Sequence, residues 1–214
     1  MISNFFIFLL VIKKFEIILV LFQINQMNHN LIAQKYGWCS SWAIWKRRDT
    51  TQQEKYGMGD VSFFANMDSL PLNPNYVFVG LNISGKGSLE RPFSNFHPLH
   101  KTAHDYKTRY ALQDTQFWGA YMTDIIKDFE EVVGTNVKKY LKDNPDFEKS
   151  NIELFEQELK DIGSINPVLI AFGNVSYNIL NKHFKNKYKI YKVSHYSSCI
   201  SKEKLREQIL NLKI

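Results

Sequence analysis

The chain is poor in cysteine, with Cys39 and Cys199 alone among 214 residues. Two thiols cannot build a disulfide scaffold, nor by themselves a four-cysteine zinc or iron–sulfur site. A reducing, cytoplasmic setting is the expectation. The chain also lacks an uninterrupted apolar stretch of the roughly 20 residues that a spanning helix needs. Its longest apolar runs, Phe5–Ile12 and Ile17–Phe22, are split by Lys13-Lys14-Phe15-Glu16. The positive charges follow the first run instead of preceding it, and no small-residue cleavage site appears, so a secretory signal is not indicated either. Residues 1–26 therefore read as a segment apart, either a start assigned upstream of Met27 or an anchor, with no stable membrane association expected. No repeat period and no low-complexity linker divides the remainder. Residues 27–214 read as a single domain.

What is present is ordinary globular material, 44% hydrophobic and 22% charged, with a net charge of +6. That is enough apolar content for a sizeable core and excludes wholesale disorder. The mild excess of Lys and Arg allows a polyanionic partner.

Strands and helices alternate after residue 75. Tyr76–Leu81 is a short apolar β-rich run bounded by turn residues, the mark of a buried strand; Ala120–Ile126, Pro167–Phe172, stopped by Gly173, and Tyr188–Val193 read as three further strands. Residues 103–117, Asn151–Ile162, Asn174–Phe184 and Ser201–Leu212 carry helical spacing, with Asn174 and Ser201 placed as N-caps. The alternation predicts an α/β fold, a three-layer α/β/α sandwich around a central, mostly parallel four-stranded sheet. Residues 27–74, with Trp38, Trp42 and Trp45, are expected to pack as an N-terminal helical layer.

Open parallel sheets bind ligands beyond the carboxyl ends of their strands. Here those ends lead into Gly80-Leu81-Asn82-Ile83-Ser84-Gly85, Thr123-Asp124, Gly173-Asn174 and Ser194-His195-Tyr196-Ser197-Ser198. An amide, a carboxylate, an imidazole and several hydroxyls would share one rim. Any one of these turns is also ordinary strand-to-helix chemistry; the four together point to a site.

The order of four segments resembles the uracil-DNA glycosylase superfamily: VFVGLNISGKGSLERPFSNFH its first motif, GAYMTDIIK its middle strand, PVLIAFGNVSYNIL the strand and helix before the second motif, and SHYSS that second motif. The match spans roughly residues 75–210. Ile83 and Tyr196 stand where the family usually has proline. The resemblance implies a uracil-DNA glycosylase-like fold and a DNA N-glycosylase that flips a base out of the helix and releases it by hydrolysis, with no cofactor and no metal. It implies Asn82 as the residue that holds the attacking water and His195 as the donor to the departing base. Ser84, Gly85, Lys86, Ser197 and Ser198 would meet DNA phosphates. Phe93 would stack on the base, with Phe96 as the competing candidate. Ile200, or else Tyr196, would fill the space the base leaves.

Asp124 departs from the asparagine of the uracil-specific branches. A carboxylate offers only acceptors, which suit the exocyclic amine of cytosine and repel O4 of uracil; a protonated Asp124 would also meet cytosine N3. The expected target is a cytosine-type, modified base such as some viral DNA carries, which would make the protein an antiviral defence factor. Asp124 could equally cap a neighbouring turn. The loop from Lys86 to Thr108, with Arg91, His97 and His100, could read the modification. Two further groupings carry less. His97, His100, His104 and Asp105 have spacings that could converge on zinc, though structural zinc sites show tighter signatures. Five lysines between Lys182 and Lys192 suit either a DNA backbone or an edge strand kept soluble. The expected protein is a monomer with DNA as its partner; the alternative is a catalytically silent nucleic-acid-binding module on the same fold.

Overall fold

A computed structural model describes residues 29–49, 51–83, 91–98 and 102–214. The protein is α/β, built on a five-stranded mixed sheet in the order β1-β3-β2-β4-β5. The strands are β1 Ser40–Trp42, β2 Asn73–Asn82, β3 Ala120–Ile126, β4 Val168–Phe172 and β5 Lys189–Val193. The helices are α1 His29–Tyr36, α2 Tyr106–Leu112, α3 Gly134–Asp143, α4 Pro145–Asp161, α5 Asn174–Phe184 and α6 Lys202–Leu210, with a 3-10 segment at Ser62–Ser69. Strands β3, β2, β4 and β5 are parallel, while β1 pairs antiparallel with β3, Ser41 opposite Met122.

Each face of the sheet has its own core. Val77, Val79, Tyr121, Ile125, Leu169 and Ala171 point to one side and pack on Val137 and Leu141 of α3, Ile152 and Phe155 of α4, and Ile179 and Leu180 of α5. Phe78, Met122, Ile170, Phe172 and Val193 point to the other and pack on Ala111 and Leu112 of α2 and Leu205 and Ile209 of α6. This is the period-two alternation of a sheet covered on both faces.

The four-strand expectation misses β1. Three residues, two of them serine, leave no alternation to read, and the segment is a strand because its edge pairing with β3 satisfies its backbone. The N-terminal layer is accordingly one short helix, one strand and the 3-10 segment, with Trp42 and Trp45 buried in the two cores. Helix α3 also escapes the sequence reading, because Val137 and Leu141 are its only buried residues among polar and basic neighbours. Ser201 caps α6 as expected, accepting from the Lys204 amide at 3.1 Å. Asn174 does not cap α5: Gly173, at φ 86°, is the flanking residue, and Asn174 Oδ1 accepts from Lys192 Nζ at 2.9 Å.

The crossover from β3 to β4 passes over β2, so the chain leaves β2 toward one edge and β4 toward the other. The carboxyl ends of β2 and β4 therefore form the topological switch point where such sheets open a crevice. Among the described residues, no helix is long and apolar enough to cross a membrane. Residues 1–26 lie outside the described residues.

Candidate functional site

The strand ends around that switch point hold a buried, acid-rich cluster. Asp124 projects from β3 on the α2/α6 face and is 4% exposed. Its neighbour in register on β2 is Gly80. A Cβ on Gly80 would stand 2.1 Å from Asp124 Oδ1, so the carboxyl lies across the glycine backbone and only glycine leaves it room. The same phantom Cβ would sit 3.7 Å from Phe96, placing that ring beside the carboxyl. Asn95 Nδ2 donates to Asp124 Oδ2 at 3.0 Å and to the Cys39 carbonyl at 2.7 Å, fastening the loop before α2 over the site.

A second acid, Asp105, precedes α2 and is also buried. The Tyr196 hydroxyl hydrogen-bonds it. Loss of water pushes both carboxyls up: Asp124 to about 7, despite the Asn95 bond and the Lys127 charge, and Asp105 to about 6. Each acid lacks a salt-bridging cation among the described residues, and the Glu158 and Asp105 charges raise Asp124 further. Asp124 therefore exchanges its proton near neutral pH, and in its protonated form it can donate as well as accept.

His195 enters from the loop after β5. Its ring stacks on Tyr196, with centroids 4.5 Å apart and planes 25° apart, and meets the Phe172 edge at 6.2 Å. It stands beside Gly173, whose φ of 86° lets β4 turn away at this point. The Ser197 backbone N–H donates to His195 Nδ1 at 3.2 Å, with the Ser197 hydroxyl 2.7 Å from the same atom. An N–H donor fixes Nδ1 as the acceptor, which leaves the proton of the neutral ring on Nε2. Burial pulls the imidazole down to about 4, so it is neutral over the physiological range. The outcome is a histidine that donates through Nε2 without carrying charge.

Asn82 ends β2. Its Nδ2 donates to the carbonyls of Ile83, Phe129 and Glu131 at 3.1, 2.9 and 2.9 Å. Three carbonyl acceptors identify the nitrogen side of the amide and tie the ends of β2 and β3 together. The opposite edge, Oδ1, remains as a fixed acceptor.

The fold thus gathers Asp124, Phe96, His195 and Tyr196 on one face, with Asn82 at the rim. Phe93 goes elsewhere. It is 1% exposed and packs against Phe64, at 5.4 Å between centroids, in the core on the opposite side of the sheet. Ile200 packs into the α2/α6 core, and its carbonyl and that of Ser198 accept from Lys107 Nζ at 2.8 and 3.2 Å, anchoring the histidine loop. Ser197 and Ser198 are exposed beside it. Ser84, Gly85 and Lys86 lie outside the described residues, as does His100. His97 is sealed among Trp45, Phe63 and Phe64 and held neutral by burial, at about 3. Among the described residues, no three or more of His, Cys, Asp and Glu come together as a metal site would need.

The sequence reading missed Asn95 and undervalued Asp105. Asn95 sits in the run Pro92-Phe93-Ser94-Asn95-Phe96, where the two aromatics draw the eye, and its partner is 29 residues away. Asp105 stands just before a helical stretch, where an acid reads as a cap; its side chain makes no capping bond.

Comparison with protein-family models, with curated proteins and with solved structures finds no match to this chain.

Proposed function

We propose that the chain is a monofunctional DNA N-glycosylase with a uracil-DNA glycosylase-like fold, releasing a flipped, cytosine-type base, modified in the way of some viral DNA. The observation that carries this reading is the pairing of two groups at one rim: a carboxyl beside Gly80 whose pKa burial lifts to about 7, and a histidine kept neutral with its proton on Nε2.

The chemistry follows from those protonation states. In hydrolysis, a water oxygen bonds to C1′ of the sugar as the C1′–N bond breaks, and the bonding pair leaves with the base. Negative charge collects on the base oxygen. Nε2–H of His195 donates there, and a donor at a developing anion is worth about 10²–10³ in rate. The water loses its proton as it adds, and that proton balances the base anion. Asn82 orients the water through Oδ1 but cannot accept its proton, which makes the step slower than one with a carboxylate base. Protonated Asp124 offers O–H to cytosine N3 and an acceptor to the N4 amine. To be read in this way, a base must reach a carboxyl that is only 4% exposed, so Asn95 and Phe96 must move aside on binding.

One observation favours a second reading, a catalytically silent nucleic-acid-binding module. The Asn82 nitrogen is fully committed to loop carbonyls, and Asp124 is covered. Incubation of the full chain with DNA carrying uracil, cytosine, 5-hydroxymethylcytosine or its glucosylated form, followed by mass spectrometry of released base, separates the two. Base excision predicts release of a cytosine-type base that falls at least 100-fold in His195→Phe. DNA binding with no release from any of the four substrates would reject it in favour of the silent module.

A further inference from the structure

A concave site lies on the outer side of the α2/α6 layer. It is a cavity of about 320 Å³ whose walls include Arg48, Arg109, Lys202 and Arg206 and the rings of Tyr106 and Tyr110. Its two acids are Glu54 and Asp114. Glu54 is taken by Lys202, and Asp114 faces Arg47 outside the cavity at 3.5 Å. Among the described residues, no carboxylate pairs with Arg48, Arg109 or Arg206.

The three guanidinium groups are held by backbone carbonyls instead. Arg48 Nη1 donates to Gln52 at 2.5 Å. Arg109 Nη1 donates to Tyr56 at 2.6 Å and Lys46 at 3.2 Å, and its Nη2 to Glu54 at 2.5 Å. Arg206 Nη1 donates to Tyr110 at 2.8 Å and Gln113 at 2.7 Å. Carbonyl dipoles orient the forks but do not cancel their charge. Arg48 and Arg206 each keep Nη2 and Nε free of protein partners among the described residues. Burial, and after it the neighbouring Arg48 charge, pull the Arg109 pKa down. Tyr110 is itself flanked by Lys202 Nζ and the Arg206 guanidinium, 5.1 and 5.8 Å from its ring centre.

We infer that this cleft binds a phosphate-bearing anion, clamped by the free edges of Arg48 and Arg206. Pre-oriented guanidinium forks suit phosphate oxygens in pairs, and crowded like charges lose their mutual repulsion once an anion sits between them. The proposal stands apart from base excision: it uses none of Asn82, Asp124 or His195. The phosphate could belong to a nucleic-acid backbone or to a free ligand.

Calorimetric titration of the full chain with pyrophosphate, and a parallel titration with a ten-nucleotide oligothymidylate, distinguish the sources. The test variants are Arg48→Gln and Arg206→Gln, which leave the buried Arg109 bonds in place. The control is Lys185→Gln/Lys189→Gln, on an exposed basic stretch that does not line the cleft. Thermal melts confirm folding of each. Pyrophosphate binding that weakens at least ten-fold in each cleft variant and under two-fold in the control would establish a free-phosphate site. The same pattern with the oligonucleotide alone would place a backbone phosphate there. No binding of either ligand at millimolar concentration, or binding indifferent to the cleft variants, would overturn the proposal.

Discussion

The two faces of strand β3 treat buried charge in opposite ways. On the α4/α5 face, Glu158 is fully buried with Lys127 at 2.8 Å, and its Oε1 accepts from Tyr121 at 2.8 Å and Thr123 at 2.9 Å. Lys127 donates as well to Thr123 Oγ1 and the Asp124 carbonyl, at 2.9 and 2.7 Å. Burial opposes charge on Lys127, but the Glu158 carboxylate outweighs it and lifts the amine above its usual pKa. On the α2/α6 face, Asp124 and Asp105 are buried to nearly the same degree with an amide and a phenol for company. The first cluster spends its polar groups on one another, as a structural network does. The second leaves proton-binding capacity unsatisfied at the carboxyl ends of the strands, where ligands bind. Burial alone is thus no guide to function; the supply of counter-charge is.

The largest effect expected from breaking this contrast lies on the structural face. Lys127→Met strands Glu158 without its cation and should cost about 3–5 kcal/mol of stability in urea unfolding, as for other broken buried pairs. A loss under about 1 kcal/mol would put this pair in the class of exposed ones and erase the difference between the faces. Next comes Gly80→Ala, where the added methyl meets the Asp124 carboxyl at 2.1 Å. It should cost about 1–3 kcal/mol as overpacking, and Gly80→Ala/Asp124→Ala should recover most of that. Failure of the second change to rescue the first would mean that Gly80 serves something other than Asp124.

A pH series then sharpens the contrast. Both acids have folded pKa values raised above their ordinary value of 3.8, to about 7 and about 6. The folded state therefore binds their protons more tightly than the unfolded chain does. Their contribution to stability is largest at low pH, declines as pH rises from about 4 to about 7, and is flat above that. The slope should approach about 1.4 kcal/mol per pH unit for each fully titrating group. Asp124→Asn, which keeps the shape and removes the titration, should flatten the upper part of this decline while changing stability at pH 5 by less than about 1 kcal/mol. An unchanged slope would show that Asp124 is ionised across the range.

Legibility in the sequence followed the same physics. Strand β3 was readable to the residue, Ala120–Ile126, because apolar residues for both faces flank Thr123 and Asp124 in one short run. Helix α5 was equally plain, with apolar residues spaced along one side. Strand β1 and helix α3 were not, since one is held by an edge pairing with a distant strand and the other by two side chains. At the site, residue identities at the strand ends were visible, and Asp124, His195 and Asn82 did reach the rim. Their states were not. The proton on His195 Nε2 depends on a local turn at Ser197, the anchoring of Asn82 on carbonyls 47 and 49 residues away, and the raised pKa of Asp124 on burial and nearby acids that outweigh the Asn95 amide. The choice between Phe93 and Phe96 was likewise a matter of which side of the sheet each ring enters, and two positive-φ phenylalanines in one loop give no period to read.

In the proposed function Asp124 reads the base, and base preference in Asp124→Asn tests that most directly. With uracil and cytosine-type DNA as competing substrates for the full chain, the wild type should release the cytosine-type base. The asparagine variant, with a donor and an acceptor fixed in place of an exchangeable proton, should shift preference toward uracil by at least ten-fold. An unchanged preference in the variant, or faster release of uracil than of any cytosine derivative by the wild type, would contradict it.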